Sequence, residues 1–265
     1  MYLVLRELPL HELLELWREL RISFLFIASL LFLLSQVLSA LRLNLFFHQK
    51  GFNLEFMSNL KLYFLGMFYN FFIPGGVGGD AYKVYRLKKN FNWNVKELSL
   101  GVLLDRGIGF LAILVLGGLI GAYLLPTYSI PILACVFLGL VLSRFLFAKW
   151  FSSFKPLFWK TFAVSLGVQL LQVLSFICLL EAINAVGNPF SYALLFLGSS
   201  VLSLISFAGI GAREMLFMLA ATHLNFDAQY SVSASLLFTI ITAVFSLIGL
   251  YFQFRVINLK TTQSS

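Results

Sequence analysis

Apolar and polar positions in this chain segregate into blocks the size of whole helices. Ile22–Leu41, Gly107–Leu125 and Thr161–Leu180 carry no charged side chain, and each is long enough to span a membrane, since ~20 residues in a helix cross the hydrocarbon. Ile130–Ala148 and Val232–Phe254 read the same way, with Arg144 near the end of the first. Leu54–Ile73 is apolar except for Glu55, Lys61 and a few amides. It runs into Pro74-Gly75-Gly76-Val77-Gly78-Gly79-Asp80, which cannot continue a regular helix. Phe190–Ala208 stops in the same manner at Gly209-Ile210-Gly211, and Glu214–Phe226, short for a span, reads as a half-helix or a tilted one. Ahead of these, residues 7–21 place Leu at helical amphipathic spacing between charges, the pattern of a helix lying on a membrane surface. Ala81–Asn90 is basic and helical in pattern.

No segment shows strand alternation bounded by hairpin turns, and only helices or closed barrels satisfy the backbone in lipid. The predicted fold is therefore an all-α polytopic integral membrane protein with about eight membrane helices. Two of them are broken at glycine-rich blocks. The expected division is an amphipathic surface helix over 1–21, a transmembrane domain over 22–255 and a short cytoplasmic tail over 256–265.

Composition agrees. Of 265 residues, 60% are hydrophobic and only 11% charged, and the mean hydropathy is +0.92. A soluble domain carries closer to a quarter charged residues. The net charge of +8 would suggest nucleic acid in a soluble protein. Here the bases sit in short loops between apolar runs, so nucleic acid is not an expected partner. Lys83, Arg86, Lys88, Lys89 and Lys96 fall in 80–99, and Arg144, Lys149, Lys155 and Lys160 in 144–160, while 126–129 and 182–189 hold no Lys or Arg. The positive-inside rule then places 80–99, 144–160 and both termini in the cytoplasm of a multi-pass cell-membrane protein. Arg42 and Lys50 fall on the predicted outside and spoil the pattern. The N-terminus shows no removable signal peptide. Cys135 and Cys178 read as core thiols, His11, His48 and His223 are scattered, and no metal or cofactor is implied.

The blocks Gly76-Val77-Gly78-Gly79-Asp80 and Gly209-Ile210-Gly211-Ala212-Arg213-Glu214 share the form Gly–aliphatic–Gly–small–charged, with Gly76 and Gly209 133 residues apart. Paired glycine interruptions in corresponding halves suggest a pseudo-repeat and point to a transporter-type site. A broken helix exposes backbone N–H groups that suit an anion. The competing reading is two cytoplasmic turns with ordinary glycine punctuation. Asp80 fits an N-cap or an ion pair, and Lys83 and Arg86 lie on its helix face. Asp105-Arg106 stands at the mouth of an apolar span, where charges are costly and usually paired. Arg213-Glu214 is ambiguous in the same way. The energetics of isolated charges at membrane depth lead us to expect the two blocks to meet in one polar pocket. Gly76-x-Gly78-x-x-Ala81 fits a dinucleotide fingerprint only literally, because it follows a membrane helix rather than a strand.

Asn70-Phe71-Phe72-Ile73-Pro74-Gly75-Gly76-Val77-Gly78-Gly79-Asp80-Ala81-Tyr82-Lys83, Asp105-Arg106 and Gly209-Ile210-Gly211-Ala212-Arg213-Glu214 together resemble the lysylphosphatidylglycerol synthase transmembrane region family, also called the flippase-like domain family. The resemblance covers nearly the whole chain. It implies a polytopic inner-membrane domain that moves or handles lipids. In some members the domain is fused to an aminoacyl transferase, and others are linked to polyprenyl- or dolichol-phosphate sugar pathways. The chain departs from the pattern at Lys83, where the family usually has Arg, and at Phe207-Ala208, where Pro-Gly is common. The family's first transmembrane helix is expected to be missing, because the chain opens with the amphipathic segment.

The expected function is a flippase or translocator of a membrane lipid or a polyprenyl-phosphate-linked intermediate, without chemistry of its own. A lipid-modifying transferase would be its natural partner. The candidate headgroup-binding residues are Asn70, Pro74, Gly75, Gly76, Gly78, Gly79, Asp80, Lys83, Arg86, Asp105, Arg106, Gly209, Gly211, Arg213 and Glu214. The alternatives are a membrane-embedded glycosyl or phosphoryl transferase acting on a lipid phosphate through Asp80 and Asp105, and a non-transporting accessory subunit.

Overall fold

A computed structural model describes residues 15–72, 78–205, 212–224, 227–254 and 259–262. The described helices are α1 (Ile22–Gln49), α2 (Phe56–Phe72), α3 (Gly78–Phe91), α4 (Val95–Leu124), α5 (Ser129–Trp150), α6 (Phe158–Ala182), α7 (Pro189–Ile205), α8 (Ala212–Leu224) and α9 (Ala228–Phe254). Among the described residues, α1, α4, α5, α6 and α9 are the five helices long and apolar enough to cross a membrane. The fold is all-α, and the chain is a multi-pass membrane protein.

Local sequence sets the helix starts. The Asn94 side chain accepts from the Lys96 N–H at the head of α4, and Glu97 follows in the first turn. Asn188 caps α7 by accepting from Phe190 N–H (2.9 Å), with Pro189 in the first helical position. Asp227 caps α9 by accepting from Gln229 N–H (2.8 Å).

One end of the bundle gathers residues 49–55, 91–97, 151–157 and 259–262. Gln49 Nε2 donates to Ser153 O (2.8 Å), Phe52 stacks on Trp93, Lys50 pairs with Glu97, and Thr262 N–H donates to Asn53 O. The other end holds residues 21, 123 and 182–190: Arg21 N–H donates to Ala182 O, and the rings of Tyr123 and Phe190 meet at 4.6 Å. Residues 15–18 are helical, and Trp17 Nε1 donates to Ser233 Oγ (2.7 Å) at that second end.

This geometry corrects the topology expected from the sequence. α2 starts at the first end, and α3 returns to it. Asp80, near the start of α3, pairs with Arg106, about 17 Å into α4. α2 and α3 thus form a re-entrant hairpin rather than a span followed by a loop. Segment 42–53 lies on the same side as 91–97, so Arg42 and Lys50 no longer violate the charge pattern. Lys50, Lys88, Lys89, Lys96, Lys149 and Lys155 share one end, called the basic end below. The N-terminal residues 15–21 are at the opposite end and the tail residues 259–262 at the basic end, so the two do not share a side. The expectation failed because α2, a 17-residue apolar helix, looks like a span when its neighbours are not seen.

The 133-residue spacing of the glycine blocks extends to the whole architecture. It carries the last residue of α1, Gln49, onto the last of α6, Ala182. It carries the first residue of α2, Phe56, onto that of α7, Pro189, and the first residue of α4, Val95, onto that of α9, Ala228. Even the caps correspond, Asn94 with Asp227. α1 packs on α6, α2 on α9 and α7 on α4, as a two-fold axis requires. The α7–α8 hairpin enters from the end opposite to α2–α3, since Tyr192 lies beside Val186 at that end (2.9 Å) and Gly198 faces Leu216 of α8. The fold is an inverted repeat, span–hairpin–span, with α5 as the connecting helix.

Candidate functional site

A polar cavity of about 280 Å³ lies between α1, α2, α3, α4 and α6. Its charged walls are Arg42, Asp80, Lys83, Asp105 and Arg106. The Arg42 guanidinium forks onto Asp105, Nε to Oδ1 at 2.7 Å and Nη2 to Oδ2 at 3.0 Å, and its Nη1 donates to Ser165 Oγ at 2.8 Å. Both side chains are about nine-tenths buried or more. Asp80 receives Lys83 Nζ on Oδ1 (3.1 Å) and Arg106 Nε on Oδ2. Lys83 Nζ also sits 4.4 Å from the centre of the Tyr63 ring, a cation–π contact. Three cations against two carboxylates leave the cavity one net positive charge. Every acid is matched, so the surplus belongs to the cations.

Beyond the charges the cavity continues toward the bundle centre as a polar stripe of Gln36, Ser39, Gln169 and Gln172. Gln36 and Gln172 both donate to Ser35 Oγ (3.1 and 3.4 Å), and Gln169 Oε1 is buried with no hydrogen-bond partner among the described residues. The 133-residue shift carries Gln36 onto Gln169, so the two amides are repeat-mates near the pseudo-two-fold axis.

The re-entrant hairpin positions Asp80 and Lys83. α2 and α3 cross in backbone contact: a Cβ on Gly79 would stand 1.9 Å from Gly66 O. Asn70 Oδ1 accepts from Gly79 N–H (2.9 Å) and caps the start of α3. Gly79 is small because helix meets helix there, and Asn70 orients the turn while also lining the cavity. Asn59, fully buried, ties α2 to α1 through Ala40 O (2.7 Å).

Of the residues singled out from sequence, Asn70, Asp80, Lys83, Asp105 and Arg106 line this cavity together. Asp105-Arg106 is not at a helix mouth, because α4 begins at Val95. Gly78 opens α3, and Arg86, over the Tyr82 ring, lies on the same helix outside the cavity. Pro74, Gly75, Gly76, Gly209 and Gly211 lie outside the described residues. Arg213 and Glu214 do not line the cavity. Arg213 lies over the rings of Phe196 and Phe238 (5.2 and 4.8 Å), and Glu214 Oε1 accepts from Thr239 and Ser235 (3.1 and 3.3 Å). The second half is filled by Phe176, Phe196, Phe217 and Phe238 packed ring on ring. The shift carries Tyr63 onto Phe196 and Asp105 onto Phe238, so apolar rings stand where the first half has its phenol and its acid. The expectation that Arg213 and Glu214 meet the first block in one pocket is not met. The halves do converge on the cavity, but through Gln36 and Gln169.

Sequence reasoning missed Arg42, Tyr63, Ser165 and the glutamines. Arg42 carried a signal, a base directly after an uncharged apolar run, which the positive-inside accounting set aside as a loop charge. The glutamines carried another, since the spacing of the glycine blocks superposes Gln36 on Gln169.

No curated protein matches the chain. The family described as "Lysylphosphatidylglycerol synthase TM region" matches over residues 1–249. With most of its length matched and a charged cavity built around the residues that carried the resemblance, this chain belongs to the lysylphosphatidylglycerol synthase transmembrane region family of lipid-related membrane proteins.

Proposed function

We propose that this protein is a translocator of an anionic membrane lipid or lipid-linked phosphate, and that the α1–α4/α6 cavity binds the headgroup. The observation that carries the reading is the cavity's composition: two buried cations, Arg42 and Lys83, a partly exposed third, Arg106, two carboxylates that hold them in place, and a trail of amides toward the bundle centre. Buried charges at membrane depth are expensive and concentrate on substrate paths. The net charge of +1 suits a headgroup bearing one negative charge. Lys83 and Arg106 share a single acid, so an incoming phosphate competes with Asp80 for them rather than meeting bare cations. Gln36, Ser39, Gln169 and Gln172 offer neutral donors and acceptors to hydroxyls on the headgroup.

The inverted repeat supports transport over catalysis. Two hairpins entering from opposite ends give a fold two related packings, the basis of alternating access. A metal-dependent phosphoryl transferase would need acids free to ligate, whereas Asp80 and Asp105 both spend their oxygens on cations. The concentration of Lys at the basic end supports a cytoplasmic position for that end by the positive-inside rule, which suits a cell-membrane protein loading a lipid made inside.

The test is transbilayer movement in proteoliposomes of a phosphatidylglycerol carrying a fluorophore on its acyl chain, followed by quenching from outside. The wild-type protein should speed its movement relative to protein-free vesicles and move the matching phosphatidylcholine poorly. Lys83→Met should slow it about tenfold, equivalent to ~1.4 kcal/mol. Equal rates for both lipids, unchanged by Lys83→Met, would refute the proposal.

A further inference from the structure

α5 stands outside the repeat, because the shift that carries α1–α4 onto α6–α9 gives it no counterpart. It packs chiefly on α4, and Phe147 is the buried residue recorded along its described length. Between the two helices runs an apolar groove in two stretches. The stretch toward the basic end has a volume of about 630 Å³ and includes Leu103, Gly107 and Trp150. The other has about 650 Å³ and includes Gly118, Leu125 and Tyr128. They share Leu111, Leu114 and Ser143, so the groove is continuous from Trp150 to Tyr128. Over the 22 residues of α5 that is about 33 Å, the hydrocarbon thickness of a bilayer.

Two features set this groove apart from an ordinary lipid-facing seam. Arg106 and Phe110 wall both the groove and the polar cavity, so the two spaces meet across those side chains. Gly107 and Gly139 line the groove in mid-helix, and a Cβ at either would meet nothing within 4 Å. Packing does not require glycine there, and glycine costs a helix interior about 1 kcal/mol against alanine. What the missing side chains do is leave the groove open. Gly118 differs, since its Cβ would strike Val136 Cγ2 at 2.3 Å and it sets how closely α5 approaches.

An amphiphile whose head fills a polar cavity of about 280 Å³ must lead its chain out through an apolar exit. We propose that the α4–α5 groove holds the apolar chain of the anionic lipid whose headgroup occupies the cavity, with Arg106 and Phe110 as the partition between head and chain. The inference rests on the headgroup reading above. The groove's length lets it follow one chain through the whole hydrocarbon layer.

The test is photolabelling of the reconstituted protein with a phosphatidic acid carrying a diazirine in one acyl chain, followed by peptide mapping. Labels should concentrate on α4 and α5 around Leu111, Leu114 and Leu140. Unlabelled phosphatidic acid or a polyprenyl phosphate should compete, and phosphatidylcholine should not. Whichever anionic lipid protects better identifies the chain. Gly107→Phe and Gly139→Phe, which fill open space and should keep the wild-type melting temperature, should cut groove labelling at least fivefold. Lys83→Met should do the same by weakening the head site. Labels spread evenly over all lipid-facing helices, or groove labelling unchanged by both phenylalanines, would overturn the proposal. Competed, Lys83-dependent labelling on other helices would overturn it while leaving the headgroup reading intact. Groove labelling competed equally by phosphatidylcholine and indifferent to Lys83→Met would remove both. Efficient cross-linking of Cys135 between two copies would give the groove to a second chain and overturn the proposal as well.

Discussion

Removing one member of the Arg42–Asp105 pair should be among the most damaging single changes available in this bundle. Asp105→Ala deletes two charge-assisted hydrogen bonds, at 2.7 and 3.0 Å, and leaves a nine-tenths buried guanidinium with Ser165 as its remaining described partner. Hydrogen bonds to charged groups contribute about 1.5–3 kcal/mol each, and orphaning one side of a buried ion pair costs about 3–5 kcal/mol. The lower figure, about 3 kcal/mol, applies here. Ser165 still accepts one N–H, and the freed guanidinium faces a cavity of about 280 Å³, far more than the ~10–15 Å³ a water needs. Replacing both partners, Arg42→Met with Asp105→Leu, removes the orphaned charge and should restore most of the loss, because well-packed apolar pairs often equal or exceed buried ion pairs. Equilibrium unfolding in mixed micelles of the wild type, Arg42→Met, Asp105→Leu and their double mutant, with Asp105→Ala beside them, would measure this. A single-mutant loss below about 1 kcal/mol, or a double mutant that loses the sum of the singles, would refute the reasoning.

Three further outcomes follow from the fold. Gly79→Val must push α2 and α3 apart, because its Cβ would lie 1.9 Å from Gly66 O; a loss of about 1–3 kcal/mol or more is expected, while Gly139→Ala should change melting little. Single cysteines at Asn53 and Lys88, in a background lacking Cys135 and Cys178, should react with an impermeant thiol reagent from the same side, and one at Val186 from the other. Labelling of Asn53→Cys and Lys88→Cys from opposite sides would break the re-entrant hairpin. Gly118→Leu should strike Val136 and splay α5 from α4, lowering thermal stability, whereas Gly107→Leu should not.

Much of the fold was legible because hydrophobic blocks are long and bilayer thickness is fixed. The long spans α1, α4, α5, α6 and α9 emerged with core segments intact, though α1 runs on to Gln49 and α4 begins at Val95. Both extensions carry charges, which composition reads as loop, and the bundle buries one from each as a pair. Arg42 and Asp105 are the example: each looked peripheral alone, and together they form one buried fork. The re-entrant character of α2–α3 was not legible, since a 17-residue apolar helix has the same composition whether it crosses or turns back. Asp80, Lys83, Asp105 and Arg106 were found from chemistry and resemblance and do share a cavity. The second glycine block misled because the repeat is structural, while the charges are not repeated: Phe238 stands at the position of Asp105. Its glycines and the first block's Pro74, Gly75 and Gly76 fall outside the described residues.

The central claim is that the cavity's single surplus positive charge holds an anionic headgroup. Native mass spectrometry of the purified protein with phosphatidylglycerol added over a concentration series tests it most directly, comparing wild type with Lys83→Met, which takes the net charge from +1 to zero, and with Lys155→Met at the basic end. The account predicts one tightly held phosphatidylglycerol on the wild type and on Lys155→Met. For Lys83→Met it predicts affinity lower by about tenfold, or ~1.4 kcal/mol. Equal affinity in all three proteins, or a loss as large at Lys155 as at Lys83, would contradict it.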